Sequence, residues 1–214
     1  MIYCLNPDCP QPQNPETNKL CQGCGCNLRL KERYLAIKLM GEGAFCRTFL
    51  AINEDQSPSI LCIIKQLLPQ WLAPFTLQKA KSLFEQEAIL LKELGNHPQI
   101  PSLLDYFTQN QYFYLVQEFI AGSNLAQLVD EEGTFNESQI WQLLDDLLPV
   151  IQFIHNRQII HRDIKPKNII RRPPLPTPHS PLPLSGELVL VDFGAAKVVK
   201  GMGTLELGTS IGSP

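Results

Sequence analysis

The sequence predicts an α+β protein: a small cysteine-rich segment, an antiparallel sheet interrupted by one helix, and a mainly helical remainder. Three observations carry this. Five of the seven cysteines fall before residue 27. Between Tyr34 and Phe119 several short segments alternate apolar and polar residues, the period of half-buried strands. Beyond Gly122 the apolar spacing becomes helical.

The cysteine segment comes first, over 1–29. Cys4 and Cys9 are followed by Cys21 and Cys24 in a C-x4-C, C-x11, C-x2-C arrangement. Each pair makes a knuckle whose two thiolates can share one ion, and tetrahedral Zn(II) is the natural occupant. Gly23 and Gly25 leave room for backbone N–H groups to turn toward the sulfurs, and Cys26 is an alternative to Cys24 as fourth ligand. With Pro7, Pro10, Pro12 and Pro15 and few apolar residues, the segment needs the metal to fold. Structural zinc supplies on the order of 10 kcal/mol.

The strands follow as "YLAIKLM", "RTFLAIN", "SILCIIKQL" and "QYFYLVQEF". "TLQKAKSLFEQEAILLKEL" interrupts them as a helix ended by Gly95 and Pro98. On it Leu83, Glu87, Leu90, Leu91 and Leu94 share one stripe, so Glu87 is buried on an apolar face. Lys65, at the end of the apolar run "LCIIK", has the same problem on its strand. Pairing the two solves both.

Two helices come next, "NLAQLVDEE" and "NESQIWQLLDDLLPVIQFIHN", the second with an Asn136-x-x-Gln139 capping box and an internal Pro149. Two apolar strands, "NIIR" and "ELVLVDFG", are separated by a segment with six prolines between 173 and 183, read as an extended, solvated loop. The net charge of −3 gives no electrostatic reason to expect nucleic acid or an anionic membrane as partner. No apolar run approaches the roughly 18 residues of a membrane span, and the N-terminus has no signal core, so a cytoplasmic location is expected.

"HRDIKPKN" (His161 to Asn168) and "DFG" (Asp192 to Gly194) flank the proline-rich segment. With "GEGAFC" (Gly41 to Cys46), Lys65 and Glu87 they stand in one fixed order, and in this the chain resembles the protein kinase family from about Tyr34 to Pro214. The resemblance implies a protein-kinase-like fold, with a β-rich N-lobe and hinge over 34–121 and a partial helical C-lobe over 122–214. It implies transfer of the ATP γ-phosphoryl group to protein Ser or Thr hydroxyls, since "DIKPKN" is similar to the serine/threonine type. Such chemistry needs positioning and charge neutralisation more than covalent assistance.

By the same resemblance Lys65 holds the α and β phosphates and Glu87 orients it, while Asn168 and Asp192 hold Mg(II) through oxygen. Asp163 accepts or orients the hydroxyl proton, and Lys165 neutralises the γ-phosphate. Gly41, Glu42, Gly43, Ala44, Phe45 and Cys46 form a flap over the phosphates. Adenine lies against Met40, Thr48 and Ile63, its edge read by the backbone of Glu118 and Ile120 beyond a gatekeeper, Gln117. Arg162 is placed to pair with a phosphorylated Thr204, Thr209 or Ser210.

The cysteine leader together with "GNHPQIPSLLDYF", "LVQEFIAG" and "LVDFGAAK" is similar to cyanobacterial serine/threonine kinases with a zinc-ribbon-like motif. The family continues through an APE motif and further helices, whereas this sequence stops at Pro214. The expectation is a C-terminally truncated kinase with some apolar helix faces exposed; the other readings are an inactive nucleotide-binding or interaction module and, less in keeping with Lys165 and the glycine loop, a small-molecule phosphotransferase of kinase-like fold. Cys46 stands where the family has a third glycine. If that position needs positive φ, its Cβ costs about 1 kcal/mol, and a thiol above the γ-phosphate could make nucleotide binding sensitive to oxidation.

Overall fold

The computed structural model describes residues 1–43, 45–55, 57–69, 72–95, 97–173 and 187–199. Ala44, most of the proline-rich segment and the phosphorylation candidates Thr204, Thr209 and Ser210 lie outside them.

Two short strands, β1 (Ile2–Tyr3) and β2 (Gln13–Asn14), pair antiparallel in the cysteine segment. Five further strands and a short leading one make the main sheet: β3 (Arg29–Leu30), β4 (Tyr34–Glu42), β5 (Cys46–Asn53), β6 (Ile60–Leu67), β7 (Leu103–Gln109) and β8 (Tyr112–Glu118), in the order β3-β4-β5-β6-β8-β7. All neighbouring pairs are antiparallel. The edge strand β7 is an addition to the sequence reading, which assigned no strand there.

The helix α1 (Pro74–Leu94) sits between β6 and β7 in the chain, with proline in its first turn and Gly95 as cap. Its buried stripe is Phe84, Glu87, Ala88, Leu90, Leu91 and Leu94. Leu83, expected on that stripe, is exposed instead, because Phe84 and Ala88 take the inward positions.

Beyond β9 (Ser123–Asn124) come α2 (Leu125–Glu132) and α3 (Glu137–Asn156), each opened by a complete capping box. Asn136 with Gln139 matches the expectation, and Asn124 with Gln127 repeats the same signature. The helix α3 runs on through Pro149, which can donate no N–H to Asp145. Ile140, Trp141 and Leu148 lie exposed along it.

The remaining strands are short: β10 (Ile159–Ile160) pairs with β13 (Lys197–Val198), and β11 (Ile169–Arg171) pairs with both β12 (Leu188–Leu190) and β9. Gly122 precedes β9 at φ 134°, where a Cβ would lie 2.0 Å from the Arg171 carbonyl oxygen, so only glycine fits. Among the described residues no helix is long and apolar enough to cross a membrane.

The alternation of the strands divides the sheet into two faces with different covers. One face, carrying Leu67 and Leu115, packs on α1 and joins the core formed by α2, α3 and Phe193. The other carries Phe49, Ala51, Cys62, Ile64, Tyr114 and Val116, and Leu5, Leu30 and Tyr3 close over it. A third cluster joins Ile2, Cys4, Cys21 and Leu28 to Leu35 of β4. The cysteine segment therefore holds more apolar anchors than its polar composition suggests, and it covers the sheet.

Candidate functional site

Register fixes the geometry of the cleft. Gly41, Thr48, Lys65 and Leu115 lie directly opposite one another on β4, β5, β6 and β8, so Thr48 and Lys65 share the face toward α1. Ile63 and Gln117 are the next pair along that face. The expected flap residues Met40, Gly41, Glu42, Gly43 and Phe45 are exposed around the turn between β4 and β5, whose ends are drawn together by the Gly43 N–H on the Cys46 carbonyl at 2.8 Å.

Cys46 is the first residue of β5, paired with Leu67, and its φ is not positive. The third glycine is therefore replaced without backbone strain. Burial pushes its thiol up to about 12 against the opposing pull of Lys65. A thiol that stays protonated is a poor target for mild oxidants, which counts against the oxidation-sensitive reading.

Lys65 is the hub. Its Nζ lies 2.5 Å from Glu87 Oε1 and 2.8 Å from Asp192 Oδ1, joining β6, α1 and the loop after β12. The expected pairing with Glu87 is thus present, and Asp192 is a second partner. Burial opposes the charge on Lys65, but the two carboxylates hold its pKa above the ordinary lysine value. Burial likewise opposes ionisation of Asp192, yet Lys65 keeps it below the usual carboxylate range. Asp192 itself sits in the left-handed region at φ 67°, and Phe193 beside it is buried in the core. A side chain at Gly194 would meet Glu87 Oε2 at 3.2 Å, so the glycine keeps this corner open.

Facing that hub, the loop between β10 and β11 is tied by its own side chains. Asn168 donates to the Asp163 carbonyl at 2.9 Å and to Asp163 Oδ2 at 2.8 Å, and Lys165 Nζ reaches the same oxygen at 2.8 Å. The Asn168 carbonyl accepts from Val191 N–H at 2.9 Å, which fastens the loop to the segment carrying Asp192. His161 is fully buried, accepts from Asp163 N–H through Nδ1 and meets the Val191 carbonyl through Nε2, against the edge of Phe193. Burial holds its pKa below the ordinary histidine value.

At the rear of the cleft Ile120 is buried, and the Glu118 N–H is engaged with the Ser102 carbonyl at 2.9 Å. The Glu118 carboxylate accepts from Ser102 N–H at 3.2 Å and from Arg172 at 3.1 Å. Sequence reasoning missed Gln99 and Asp146, which stitch the loop after α1 to α3 and β12. Gln99 Nε2 donates to the Asp146 and Leu188 carbonyls at 2.8 Å and 3.1 Å. Nothing in composition or spacing marks these two as partners. Arg162 is exposed with φ 69°.

The second cluster is on the opposite side of the sheet. The sulfurs of Cys4, Cys9, Cys21 and Cys24 all lie within 4.8 Å of one another, and Cys26 is not among them. Cys4 and Cys24 are 3.6 Å apart and Cys9 and Cys21 3.5 Å, far beyond a disulfide. These separations fit a tetrahedron with metal–sulfur bonds of about 2.3 Å, whose edge is about 3.8 Å. Gly23 sits where a Cβ would come within 3.2 Å of Cys9 Sγ, and Asn14 Nδ2 donates toward Cys21 Sγ at 3.4 Å.

A sheet lobe above a helical lobe, with a lysine joining a helix glutamate to a loop aspartate, is the arrangement of the protein kinase class. The family model described as the protein kinase domain matches residues 34–214. Serine/threonine-protein kinase B of Synechocystis sp. is 46% identical over 197 residues, covering 92% of this chain and 33% of that protein. Serine/threonine-protein kinase PknA of Nostoc sp. is 40% identical over 177 residues, covering 82% of this chain and 29% of the relative. The solved structure titled "PpkA-294 apo form" superposes with a TM-score of 0.63 at 26% identity, over 76% of this chain and 59% of that one. The chain belongs to the protein kinase family. It spans about a third of the length of these two cyanobacterial relatives, both serine/threonine kinases.

Proposed function

We propose that this chain binds Mg-ATP between its two lobes and transfers the γ-phosphoryl group to serine or threonine hydroxyls of protein substrates. The observation that carries this reading is Lys65 held between Glu87 and Asp192 above a loop that fixes Asp163. A lysine kept charged in a buried setting is a ready counter-charge for the α and β phosphates, and Glu87 sets its direction. The flap from Gly41 to Cys46 closes over the phosphates, with adenine against Met40, Thr48 and Ile63 and its edge at the backbone of Glu118 and Ile120.

Asp163, oriented by Asn168 and Lys165, takes the proton of the attacking hydroxyl, and Lys165 then faces the charge on the γ-phosphate. Asp192 and Asn168 suit Mg(II): one brings a carboxylate held ionised by Lys65, and the other spends its side-chain N–H groups on Asp163 and offers its side-chain Oδ1. When bound, the ion neutralises charge on the phosphate oxygens. In the four-cysteine cluster the fitting ion is structural Zn(II), since the donors are all sulfur and no position is left open. The segment over 1–29 is then the zinc unit, 34–121 the N-lobe and hinge, and 122–214 part of the C-lobe.

Transfer of labelled phosphate from γ-labelled Mg-ATP to a Ser/Thr-containing protein tests this. Asp163→Asn is expected to lower the rate about 10²- to 10⁴-fold while nucleotide affinity stays near wild type. Equal rates for the two proteins would refute the assignment of Asp163. Nucleotide binding with no transfer by the wild type would leave an inactive nucleotide-binding module.

A further inference from the structure

The covered face of the sheet contains a buried cation that, among the described residues, no carboxylate reaches within ion-pair distance. Arg47 of β5, Gln66 of β6 and Tyr114 of β8 lie in register across the sheet, and all three are buried. Arg47 Nη2 donates to the Leu5 carbonyl and to Gln66 Oε1, each at 3.1 Å, and Gln66 Nε2 donates to the Leu5 carbonyl at 2.8 Å and to the Tyr114 oxygen at 3.1 Å. Arg47 Nε has no partner, and among the described residues no carboxylate pairs with this guanidinium.

A guanidinium stays charged in a protein, and burying one without a counter-charge is strongly unfavourable. The neighbours do not supply it. The Phe49 ring, 5.2 Å from the guanidinium, carries no charge, and burial pushes the Tyr114 phenol up, so it remains neutral. Glu42, opposite Arg47 on β4, is exposed and no salt bridge joins the two; the four-cysteine cluster adjoins Arg47 through Leu5, whose carbonyl Arg47 holds and which directly follows Cys4. Four thiolates around one divalent ion carry a net charge of −2.

We propose that Arg47 is the charge partner of the metal-loaded four-cysteine centre and, through it, a positioning residue for the nucleotide flap. The second half of this follows from the strand. Arg47 stands between Cys46 and Thr48, whose side chains face the cleft, and it is the register partner of Glu42 on the other arm of the flap. The Leu5 carbonyl fixes Arg47 from outside, and Arg47 fixes the strand from which the flap springs. Metal and nucleotide then stabilise one arrangement of β4 and β5, which makes their affinities reciprocal. The inference rests on the reading of the four cysteines as zinc ligands and of the flap as the nucleotide cover.

The test is equilibrium competition for Zn(II) between the full chain and a chromophoric chelator, with and without Mg-AMP-PNP. Arg47→Met, which keeps the length and removes the charge, is expected to weaken zinc binding at least about 10-fold, the usual scale for an outer-sphere partner. Arg47→Lys is expected to recover most of that loss. In the wild type Mg-AMP-PNP should tighten zinc, and zinc should tighten the nucleotide by the same factor, with the coupling gone in Arg47→Met.

Equal zinc affinity in wild type and Arg47→Met overturns the charge partnership, and zinc affinity indifferent to bound nucleotide overturns the link to the flap. If Arg47→Met fails to fold by circular dichroism, the lysine variant and the wild-type nucleotide titration still decide. A wild type that binds no zinc sinks the metal reading and this one with it. A wild type that binds zinc but no fluorescent nucleotide sinks the kinase reading and the flap coupling.

Discussion

Lys65, Glu87 and Asp192 compensate one another within the cleft, whereas Cys4, Cys9, Cys21 and Cys24 gather four like donors with no cation of their own. The two clusters lie on opposite faces of one sheet. The first is held by strands of eight residues and a helix of 21, so burial supports it before any ligand arrives. The second hangs on two strands of two residues each and a few apolar anchors. The difference teaches which part of the fold depends on what it binds: the cleft is ordered by its own charges, and the cysteine segment, on the zinc reading, by its metal.

Removing the metal is the largest expected break of that contrast. A strong chelator should withdraw on the order of 10 kcal/mol from the N-terminal segment. Amide exchange should rise through residues 1–30, while protection in α1 stays. Loss of protection in both at once would show that the two regions are not separable in this way.

Next in size is the loss of the cleft's own cation. Lys65→Met leaves Glu87, whose side chain is 4% exposed, buried without its partner. This should cost about 3–5 kcal/mol in urea unfolding, with much of it recovered when Glu87→Gln is added. Zinc content should not change in either variant. A Lys65→Met protein as stable as wild type would mean that Glu87 takes up a proton or reaches solvent at no net cost.

The cleft was legible in the sequence because its residues violate the local pattern. A lysine ending an apolar strand and a glutamate on an apolar helix stripe each demand a partner, and one pairing resolves both. The strand β7 was not legible. Its pairing with β8 shifts register between Leu103 and Asp105, and such a bulge destroys the alternation by which a strand is read. Arg47 shows a different limit. Alternation in "CRTFLAIN" tells that Arg47, Phe49 and Ala51 share a face, but the cover comes from Leu5 and Leu30, and no local period reveals it. The helix stripe was off by one for a similar reason, since Leu83 and Phe84 are both apolar and only the packing decides between them.

The smallest effect separates the regions by pH. His161 is neutral in the folded protein because burial outweighs the carboxylates of Asp192 and Asp163, so its pKa lies below the unfolded value of about 6.5. Below that pH the unfolded chain binds a proton that the folded chain refuses, and stability falls as pH falls, by at most about 1.4 kcal/mol per pH unit. Asp105 and Asp192 also have lowered values, but their contribution is lost only as the pH drops below the ordinary carboxylate range, so over pH 7.5 to 5.5 they stay constant and the difference between wild type and His161→Asn reports this histidine. His97 shifts in the same direction and remains in the variant as an internal reference. His161→Asn should therefore be less stable than wild type at pH 7.5 through the lost contacts with Val191 and Asp163, yet lose less on going to pH 5.5. Parallel melting curves for the two proteins over that range would place the acid sensitivity elsewhere, with the protonation of the zinc thiolates as the next region to examine.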